Sequence, residues 1–273
     1  MNYQTYSPHP DLAALVSCYW SLQVPKDEHP QRQRIIPDGT IEMAFILGDD
    51  IKRYTVGDAF ILQPRAMVLG QTIDPFYIEP TGYVDTFAVR FFPFGFANFI
   101  EGSLDKLANK ETAIQELFGQ QAGGELARSI AVAKGVEERI KAVETFLLAK
   151  LKEASTIDKL VKTTVDTLLL SKGKASIKSI VEEGDAQRRQ LERKFKRQVG
   201  ISPKRLAKLI RLQAALELLL DQEPEQLTQV AYDCDYYDQA HFIKDFKEFT
   251  GLSPKAFLAH EEMLLSSVFY KPN

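Results

Sequence analysis

The basic residues between Asp185 and Arg211 are the most distinctive chemical feature of the chain. This segment holds ten basic residues and only two acidic ones, although the whole chain of 273 residues has a formal net charge of -3. Arginine and lysine at this density suit phosphates, and both also suit the edge of guanine. The local charge therefore predicts a surface that binds a nucleic acid, which the overall charge conceals.

A repeated phrase places part of this charge on one of two similar helices. The first copy runs from Gln190 to Leu206 and the second from Ala240 to Phe257. In each copy an apolar residue precedes a Phe by four positions, and Gly-x-Ser-Pro follows. Because residues four apart share a helix face, two pairs are expected to pack inward: Leu191 with Phe195, and Phe242 with Phe246. The pattern predicts two helix-turn-helix units, each with a polar helix face suited to a major groove.

The outward faces of these helices supply the candidates for DNA contacts. Gln suits adenine, whereas Arg and Lys suit guanine. The full candidate set is Arg188, Arg189, Glu192, Arg193, Lys196, Arg197, Lys204, Gln239, His241 and Lys244. Arg197, Lys204 and Lys208 are better placed for phosphates, which position a protein without specifying a sequence. A solvated basic helix face has the same pattern, but two copies with matching closures favour DNA binding.

The two units differ in charge. From Glu217 to Phe257, nine acidic residues oppose three lysines. Asp238, Asp245 and Glu248 would repel phosphates from any position that faces DNA. We therefore expect the first unit to dominate affinity and the second to tune specificity.

Helices must position these residues, and the second half of the chain has helical periodicity throughout. Gly200 and Gly251 are expected to end helices, and the Ser-Pro pairs to begin them. The predicted helices cover Ile157 to Leu170, Ser176 to Glu182, Gln187 to Gln198, Ser202 to Leu220, Gln226 to Cys234 and Asp238 to Thr250, with a last one to about Leu265.

The first half, to about Leu104, has short segments separated by turns, as in a β-sandwich or barrel. Strands are predicted at Ile41 to Leu47, Ile51 to Val56, Asp58 to Leu62, Ala66 to Gln71 and Asp85 to Phe92. Helices are predicted at Phe94 to Ile100, Glu111 to Leu117, Leu126 to Ala133 and Val136 to Lys152. The boundary is placed at residues 153–156, with Ser155 or Thr156 as the next N-cap. A sensing or dimerising domain then covers 1–154, and a DNA-binding domain covers 155–273.

Residues from Ile177 to Phe257 resemble the DNA-binding domain of the AraC/XylS family. The family's Phe-Lys pair followed by Gly-x-Ser-Pro occurs twice, at Phe195-Lys196 and at Phe246-Lys247. Further matches are Arg211-Leu212 and Ala215 in the connecting helix, and Ala231, Tyr236, Asp238 and His241-Phe242 in the second unit. The resemblance implies two recognition helices on one rigid connector, entering successive major grooves about 34 Å apart.

The same resemblance implies which residues face the bases. They are Arg189, Glu192 and Arg193 in the first unit, and Gln239, His241 and Lys244 in the second. Asp185 and Asp235 stand where the family usually has Gly before each recognition helix. Because Asp tolerates the left-handed conformation better than most residues, both turns are expected to be kept.

The first 150 residues resemble the N-terminal domain of a group of bacterial AraC-type regulators. The matching phrases are Tyr6-Ser7-Pro8-His9-Pro10 with Leu12, Cys18-Tyr19-Trp20, Ile36-Pro37-Asp38-Gly39, and Val89-Arg90-Phe91 with Pro93 and Gly95. This resemblance implies a β-rich, cupin-like fold. The fold class expected for the chain is α+β, with helices appended to this domain and an all-α C-terminal domain of two helix-turn-helix units joined by a long helix.

An apolar pocket is expected in the N-terminal domain, with four candidate ligand-binding residues: Trp20, Arg34, Glu42 and Arg90. Further aromatic candidates are Tyr19, Phe45, Phe60, Phe76, Tyr77 and Tyr83, although ordinary core packing explains most of them. A cupin metal centre needs several histidines and a carboxylate. The chain has only His9, His29, His241 and His260, so neither a metal nor another cofactor is expected.

The function expected is sequence-specific regulation of transcription, controlled by a small molecule. One alternative is a constitutive DNA-binding protein whose N-terminal domain only dimerises. The other is an enzyme with an accessory DNA-binding domain. The enzyme is disfavoured, because a DNA-repair methyl acceptor needs a multi-cysteine zinc cluster that Cys18 and Cys234 cannot build, and a cupin enzyme needs more histidines.

The partners expected are duplex DNA, a small-molecule effector, a second copy of the chain and RNA polymerase. No membrane partner is expected, and the lack of a long apolar run or a signal pattern favours the cytoplasm. Coupling or dimer contacts are expected between Glu111 and Leu170. The candidate interface residues are Leu126, Ile130, Ile140, Val143 and Leu147, with packing inside the monomer as an equal alternative.

Overall fold

A computed structural model describes residues 1–27, 30–55, 58–151, 157–180, 184–221 and 227–259. The N-terminal β-rich domain, described to residue 151, contains two antiparallel sheets and three helices. The C-terminal helical region begins at residue 157 and contains helices alone among its described elements. The α+β fold class expected from the sequence is therefore confirmed. Across the described residues, no helix combines the length and apolar character that a membrane span requires.

The larger sheet has six strands in the order β1-β2-β9-β4-β7-β10. These strands are β1 (Asn2–Tyr6), β2 (Val16–Val24), β4 (Ile41–Ile46), β7 (Ala66–Leu69), β9 (Val84–Phe91) and β10 (Glu111–Ala113). The smaller sheet has the order β3-β8-β5-β6. Its strands are β3 (Gln33–Ile35), β5 (Ile51–Tyr54), β6 (Phe60–Leu62) and β8 (Phe76–Pro80).

Both faces of the larger sheet are buried. Since successive side chains of a strand point to opposite sides, each strand contributes residues to both faces. One face carries Tyr19, Phe45 and Phe87, which join one hydrophobic core. Two 3-10 turns, Gly95–Asn98 and Leu104–Leu107, contribute to this core together with α1 (Ile114–Phe118), α2 (Gln120–Val132) and α3 (Val136–Lys150). The other face carries Trp20, Ala44 and Ile46 and looks towards the smaller sheet.

Glycines end helices and Ser-Pro pairs begin them in the C-terminal helical region, as the sequence predicts. Its helices are α4 (Lys159–Leu170), α5 (Ile177–Ile180), α6 (Gly184–Val199), α7 (Pro203–Asp221), α8 (Leu227–Asp233), α9 (Gln239–Thr250) and α10 (Pro254–Leu258). Gly200 and Gly251 follow α6 and α9 with φ of +94° and +74°, a conformation that favours glycine. The Ser253 side chain accepts from the Ala256 amide at the start of α10.

Several local expectations are corrected. Residues 111–113 form a strand rather than the start of a helix, because pairing with β7 outweighs local helical periodicity. No strand is predicted at β1, β2 or β8, although all three are strands. Asp185 lies inside the first turn of α6, whereas Asp235 does have the left-handed φ of 58° expected before α9.

Some expectations lie outside the described residues. They include the boundary at 154/155, the N-caps Ser155 and Thr156, the end of the helix predicted to reach Glu182, and the last helix beyond Ala259. Within the described part, Asp158 is the cap of α4, and its carboxylate accepts from the Leu160 amide at 3.0 Å. The five candidate dimer residues pack into the core of the N-terminal β-rich domain, so the monomer alternative accounts for them.

The N-terminal β-rich domain and the C-terminal helical region share one apolar core. Ile36 and Phe94 from the former are buried among the residues that join α4, α6 and α7. Polar contacts cross the same boundary: Gln213 Nε2 donates to the Pro37 carbonyl at 2.8 Å, and Arg205 Nη2 donates to the Ile73 carbonyl at 2.7 Å. The coupling contacts thus come from loops of the β-rich domain as well as from α4, rather than only from residues 111–170.

Candidate functional site

The first repeated unit presents a basic helix face to solvent. In α6 the apolar residues Leu191, Phe195 and Val199 are fully buried, as the four-residue spacing predicts. Glu192 is half-buried. The five basic candidates on this helix are all exposed: Arg188, Arg189, Arg193, Lys196 and Arg197. Lys204, at the start of α7, is also exposed. The helix therefore separates a packing face from a face able to contact DNA.

The second unit has the same division with a different chemistry. Phe242, Phe246 and Phe249 of α9 are fully buried, whereas Gln239, His241 and Lys244 are exposed. Asp238 is the N-cap of this helix, and its carboxylate accepts from the His241 amide at 2.7 Å. This capping bond fixes the start of α9 and contributes about 1 kcal/mol to helix stability.

Two acidic residues of the second unit, Asp245 and Glu248, contact the connector α7. The Asp245 side chain is only 5% exposed and accepts from Lys208 Nζ at 2.9 Å. Glu248 lies 3.1 Å from the same ammonium group and 3.4 Å from Arg205 Nη1. Asp245 and Glu248 are therefore each paired with a cation of α7, which reduces the repulsion that either would exert on a phosphate.

The ammonium group of Lys208 is engaged by these two carboxylates and not by a phosphate. Burial tends to lower the pKa of its ammonium group, but hydrogen bonds to Asp245 and Glu248 outweigh this effect and raise the pKa. The lysine is therefore held charged as a tie between α7 and α9. Its phosphate contact stays a prediction, because DNA would have to displace these two carboxylates, and the exposed basic residues of this surface are those of α6 and Lys204.

An ion pair links the first unit to the N-terminal β-rich domain. Lys196 Nζ lies 3.7 Å from the Asp105 carboxylate, in the 3-10 turn that packs against the end of α6. A hydrogen bond from Ser103 is the largest cause that lowers the pKa of Asp105, and Lys196 adds to it. An exposed pair of this kind contributes about 0–1 kcal/mol and leaves Lys196 able to exchange partners.

A cavity of about 510 Å³ lies between the two sheets of the N-terminal β-rich domain. Its wall is mostly apolar, with Leu22, Ile46 and Phe76 contributed by strands of both sheets. Two of the four predicted ligand-binding residues, Trp20 and Glu42, line it. This size suits a small organic molecule, and pockets of this kind typically combine apolar walls with a few polar groups.

The other two predicted ligand-binding residues lie outside the cavity wall. Arg90 Nε donates to Glu42 Oε1 at 2.8 Å and thus stands behind the wall. Arg34 donates from Nη1 to the Thr250 carbonyl at the end of α9, and its guanidinium lies 4.7 Å from the centre of the Tyr77 ring. Arg34 is therefore corrected from a ligand residue to an interdomain contact.

The aromatic candidates divide between the cavity wall, the hydrophobic core and the surface. Phe76 lines the cavity, whereas Tyr19 and Phe45 belong to the core on the opposite face of the larger sheet. Phe60 and Tyr83 are exposed. The position of a residue along its strand decides which face it joins, because adjacent residues of β2 face opposite sides of the sheet.

The two enzyme sites considered from the sequence are a metal centre and a reactive thiol. No three His, Cys, Asp or Glu side chains among them could hold a metal ion, while His29 and His260 lie outside the described range. Burial raises the pKa of both thiols, that of Cys234 to about 11. Both cysteines are therefore protonated and unreactive near neutral pH.

Comparison with known families divides the chain in the same way. Residues 4–113 match a family model described as a domain of unknown function (DUF6597), and residues 167–260 match one described as a helix-turn-helix domain. The second match covers both repeated units. The predicted AraC-type helix-turn-helix domain at the C-terminus is confirmed.

Two curated relatives match about 80 residues of this chain each. The HTH-type transcriptional regulator MtrA of Neisseria gonorrhoeae is 38% identical over 79 residues, which are 29% of this chain and 26% of MtrA. An uncharacterized HTH-type transcriptional regulator of Haemophilus influenzae is 33% identical over 81 residues, which are 30% of this chain and 27% of that protein. The chain thus matches only about a quarter of the length of these relatives.

Solved structures with a similar arrangement include ToxT from Vibrio cholerae. One ToxT structure covers 95% of this chain and 98% of its own, with 12% identity and a TM-score of 0.46. A structure of ToxT with a bound unsaturated fatty acid covers 87% and 93%, with 14% identity and a TM-score of 0.43.

Proposed function

We propose that this chain, whose C-terminal domain is an AraC-type helix-turn-helix domain, regulates transcription by binding specific duplex DNA under the control of a small molecule. The carrying observation is the pair of exposed polar helix faces on α6 and α9, tied through a single connector helix. A second copy of the chain and RNA polymerase are the protein partners that this role implies, and the cytoplasm is where it would act.

The two units are proposed to divide the work unequally. Arg188, Arg189, Arg193 and Arg197 give α6 a dense basic face, with Lys196 and Lys204 beside it. On α9 the exposed candidates are Gln239, His241 and Lys244, which include one lysine and no arginine. The first unit would therefore supply most of the electrostatic affinity, and the second would mainly discriminate between sequences.

Salt titration of DNA binding tests this division. A duplex is first enriched from a random pool by the wild-type chain, and its affinity is measured by fluorescence anisotropy between about 50 and 200 mM salt. The variants are Arg193→Ala and Lys244→Ala, with Arg128→Ala on the exposed surface of α2 as the matched control. Each lost phosphate contact lowers the slope of log affinity against log salt by about 0.9.

We expect Arg193→Ala to weaken binding and reduce the salt slope more than Lys244→Ala does, with Arg128→Ala unchanged. A larger effect of Lys244→Ala would contradict the proposed division. If neither variant differed from Arg128→Ala, the helices would not be the DNA-binding surface.

Strand β3 supports a coupling between the cavity and the second unit. Gln33 and Ile35 line the cavity, and Arg34 between them contacts the Thr250 carbonyl at the C-terminal end of α9. A ligand that moves β3 would therefore act on a recognition helix through one residue. Such a ligand shifts the balance between two arrangements only if it binds one of them more tightly.

A second path runs through the loop after β3. Arg90 Nη2 lies 3.7 Å from Asp38, and the neighbouring Gly39 is packed so closely on α7 that an added Cβ would stand 2.9 Å from Leu206 Cδ1. The cavity residue Glu42 is thus connected to the connector helix through Arg90 and this loop.

The alternative is a constitutive DNA-binding protein whose N-terminal domain only dimerises. Thermal melting of the full chain against a metabolite panel separates the two proposals, because a ligand that binds the folded state raises the melting temperature. A regulated protein is expected to show a shift with at least one compound, together with a change in DNA affinity. If no compound produced a shift, the constitutive alternative would be favoured.

A further inference from the structure

The chemistry of the cavity wall limits the ligand, on the premise that the cavity is the effector site. The titratable side chains that line it are both acidic, Asp27 and Glu42, and amide groups of Gln33 and Gln63 add polarity. Within the described residues, no Lys, Arg or His side chain lines the wall. Met1 also lines the cavity and is half exposed.

The two carboxylate oxygens of Glu42 differ in the hydrogen bonds that they accept. Oε1 accepts from Trp20 Nε1 at 3.0 Å and from Arg90 Nε at 2.8 Å. Among the described residues, no hydrogen bond is made to Oε2. A carboxylate oxygen in a largely apolar wall gains most from a hydrogen-bond donor, and more when the donor is charged.

Arg90 does not remove this preference. Its guanidinium lies behind the wall and is shared between Glu42 and Asp38, at 2.8 and 3.7 Å respectively. The cluster therefore holds two carboxylates against one cation. Burial raises the pKa of Glu42, and the charge of Arg90 opposes that rise. A bound cation would complete the charge balance that Arg90 leaves unfinished.

We propose that the cavity takes a hydrophobic molecule carrying an amine, with its ammonium group against Glu42 Oε2 and its apolar body between the two sheets. An anionic amphiphile of the same shape would place like charge against Glu42, and a neutral one would lack the ionic contact. The ligand class is thus set by the sign of the wall charge.

Three rigid probes of equal size isolate the head group: 2-naphthylmethylamine, 2-naphthalenemethanol and 2-naphthoic acid. Their affinities for the full chain are measured by isothermal titration calorimetry at neutral pH. Glu42→Gln removes the wall charge with little change of shape. Glu79→Gln is the matched control, since its side chain is 15% exposed against 16% for Glu42 and pairs with Lys52.

We expect the amine to bind on the order of tenfold more tightly than the alcohol, and the acid to bind most weakly. Glu42→Gln should abolish the difference between amine and alcohol, whereas Glu79→Gln should keep it. The inference is overturned if the acid binds more tightly than the alcohol, or if folded Glu42→Gln retains the amine preference. If Glu42→Gln does not fold, the wild-type ranking of the three probes decides.

A cavity-filling variant separates this inference from the proposed function. Ala44 lines the cavity and is buried, so Ala44→Leu should weaken all three probes together. Equal binding of the three probes that is lost in Ala44→Leu would overturn the ligand class and leave the cavity as the effector site. Absence of binding by all three probes would overturn the ligand class, while the melting panel would still judge control by a small molecule.

Discussion

Replacing Arg34 with Met tests the contact between the N-terminal β-rich domain and the second recognition helix. Methionine keeps an apolar stem near Tyr77 and removes the guanidinium that donates to the Thr250 carbonyl. This carbonyl lies at the C-terminal end of α9, where the helix dipole favours a positive charge. The interactions that the substitution deletes include one charged hydrogen bond and one favourable dipole interaction.

The magnitude follows from these two interactions. A hydrogen bond from a charged donor contributes about 1.5–3 kcal/mol, and a cation at a helix C-terminus about 0.3–1 kcal/mol. Because the two overlap, we take about 2 kcal/mol for the docked state. Since 1.36 kcal/mol is a factor of ten, the ratio of docked to undocked molecules should fall about 30-fold.

Hydrogen exchange measured by mass spectrometry detects this loss. Peptides covering residues 246–258 should exchange up to about 30-fold faster in Arg34→Met, with β2 and β9 peptides unchanged. Arg65→Met is the matched control, because Arg65 pairs with Asp50 inside the N-terminal β-rich domain. Equal exchange in Arg34→Met and wild type would refute the docking contact. Equal acceleration in Arg65→Met would show a general loss of stability instead.

Two stability predictions address the helix ends. Asp158→Ala should lower the free energy of unfolding by about 1 kcal/mol at pH 7 in chemical denaturation. Because the hydrogen bond from Lys194, above all, lowers the pKa of Asp158, this contribution is present in full above the unfolded value of about 3.9, and should vanish as the pH falls through the folded value. Gly251→Ala should cost at least about 1 kcal/mol in thermal melting, since φ is positive and the new Cβ would lie 2.7 Å from Arg34 Nη1. Gly124→Ala within α2 should be neutral or stabilising, and an equal loss there would refute the conformational reason.

The helical region could be predicted closely because its signals are local. The phase of Leu191 and Phe195, and the stops at Gly200 and Gly251, depend on residues within one or two turns. The exposed candidates on α6 and α9 follow directly from that phase. The strands were harder, because β10 and β3 are three residues long and exist through pairing with distant segments.

The charge arrangement could not be read from composition. Asp245 and Lys208 come from different helices, and their contact depends on how α9 packs against α7. A count of charges along the chain therefore cannot show which way the Asp245 carboxylate faces. The sequence could not place Arg34 for a similar reason. Arg34 lies in β3 between two residues that line the cavity, and only the tertiary structure shows that its own side chain contacts the Thr250 carbonyl.

Hydroxyl-radical footprinting of the full chain on an enriched duplex tests the central claim most directly. Two recognition helices on one connector predict two protected segments about 10 base pairs apart, centre to centre. Arg193→Ala should weaken protection of one segment, and Lys244→Ala that of the other. A single protected segment in the wild type, or equal loss at both segments in each variant, would contradict the account.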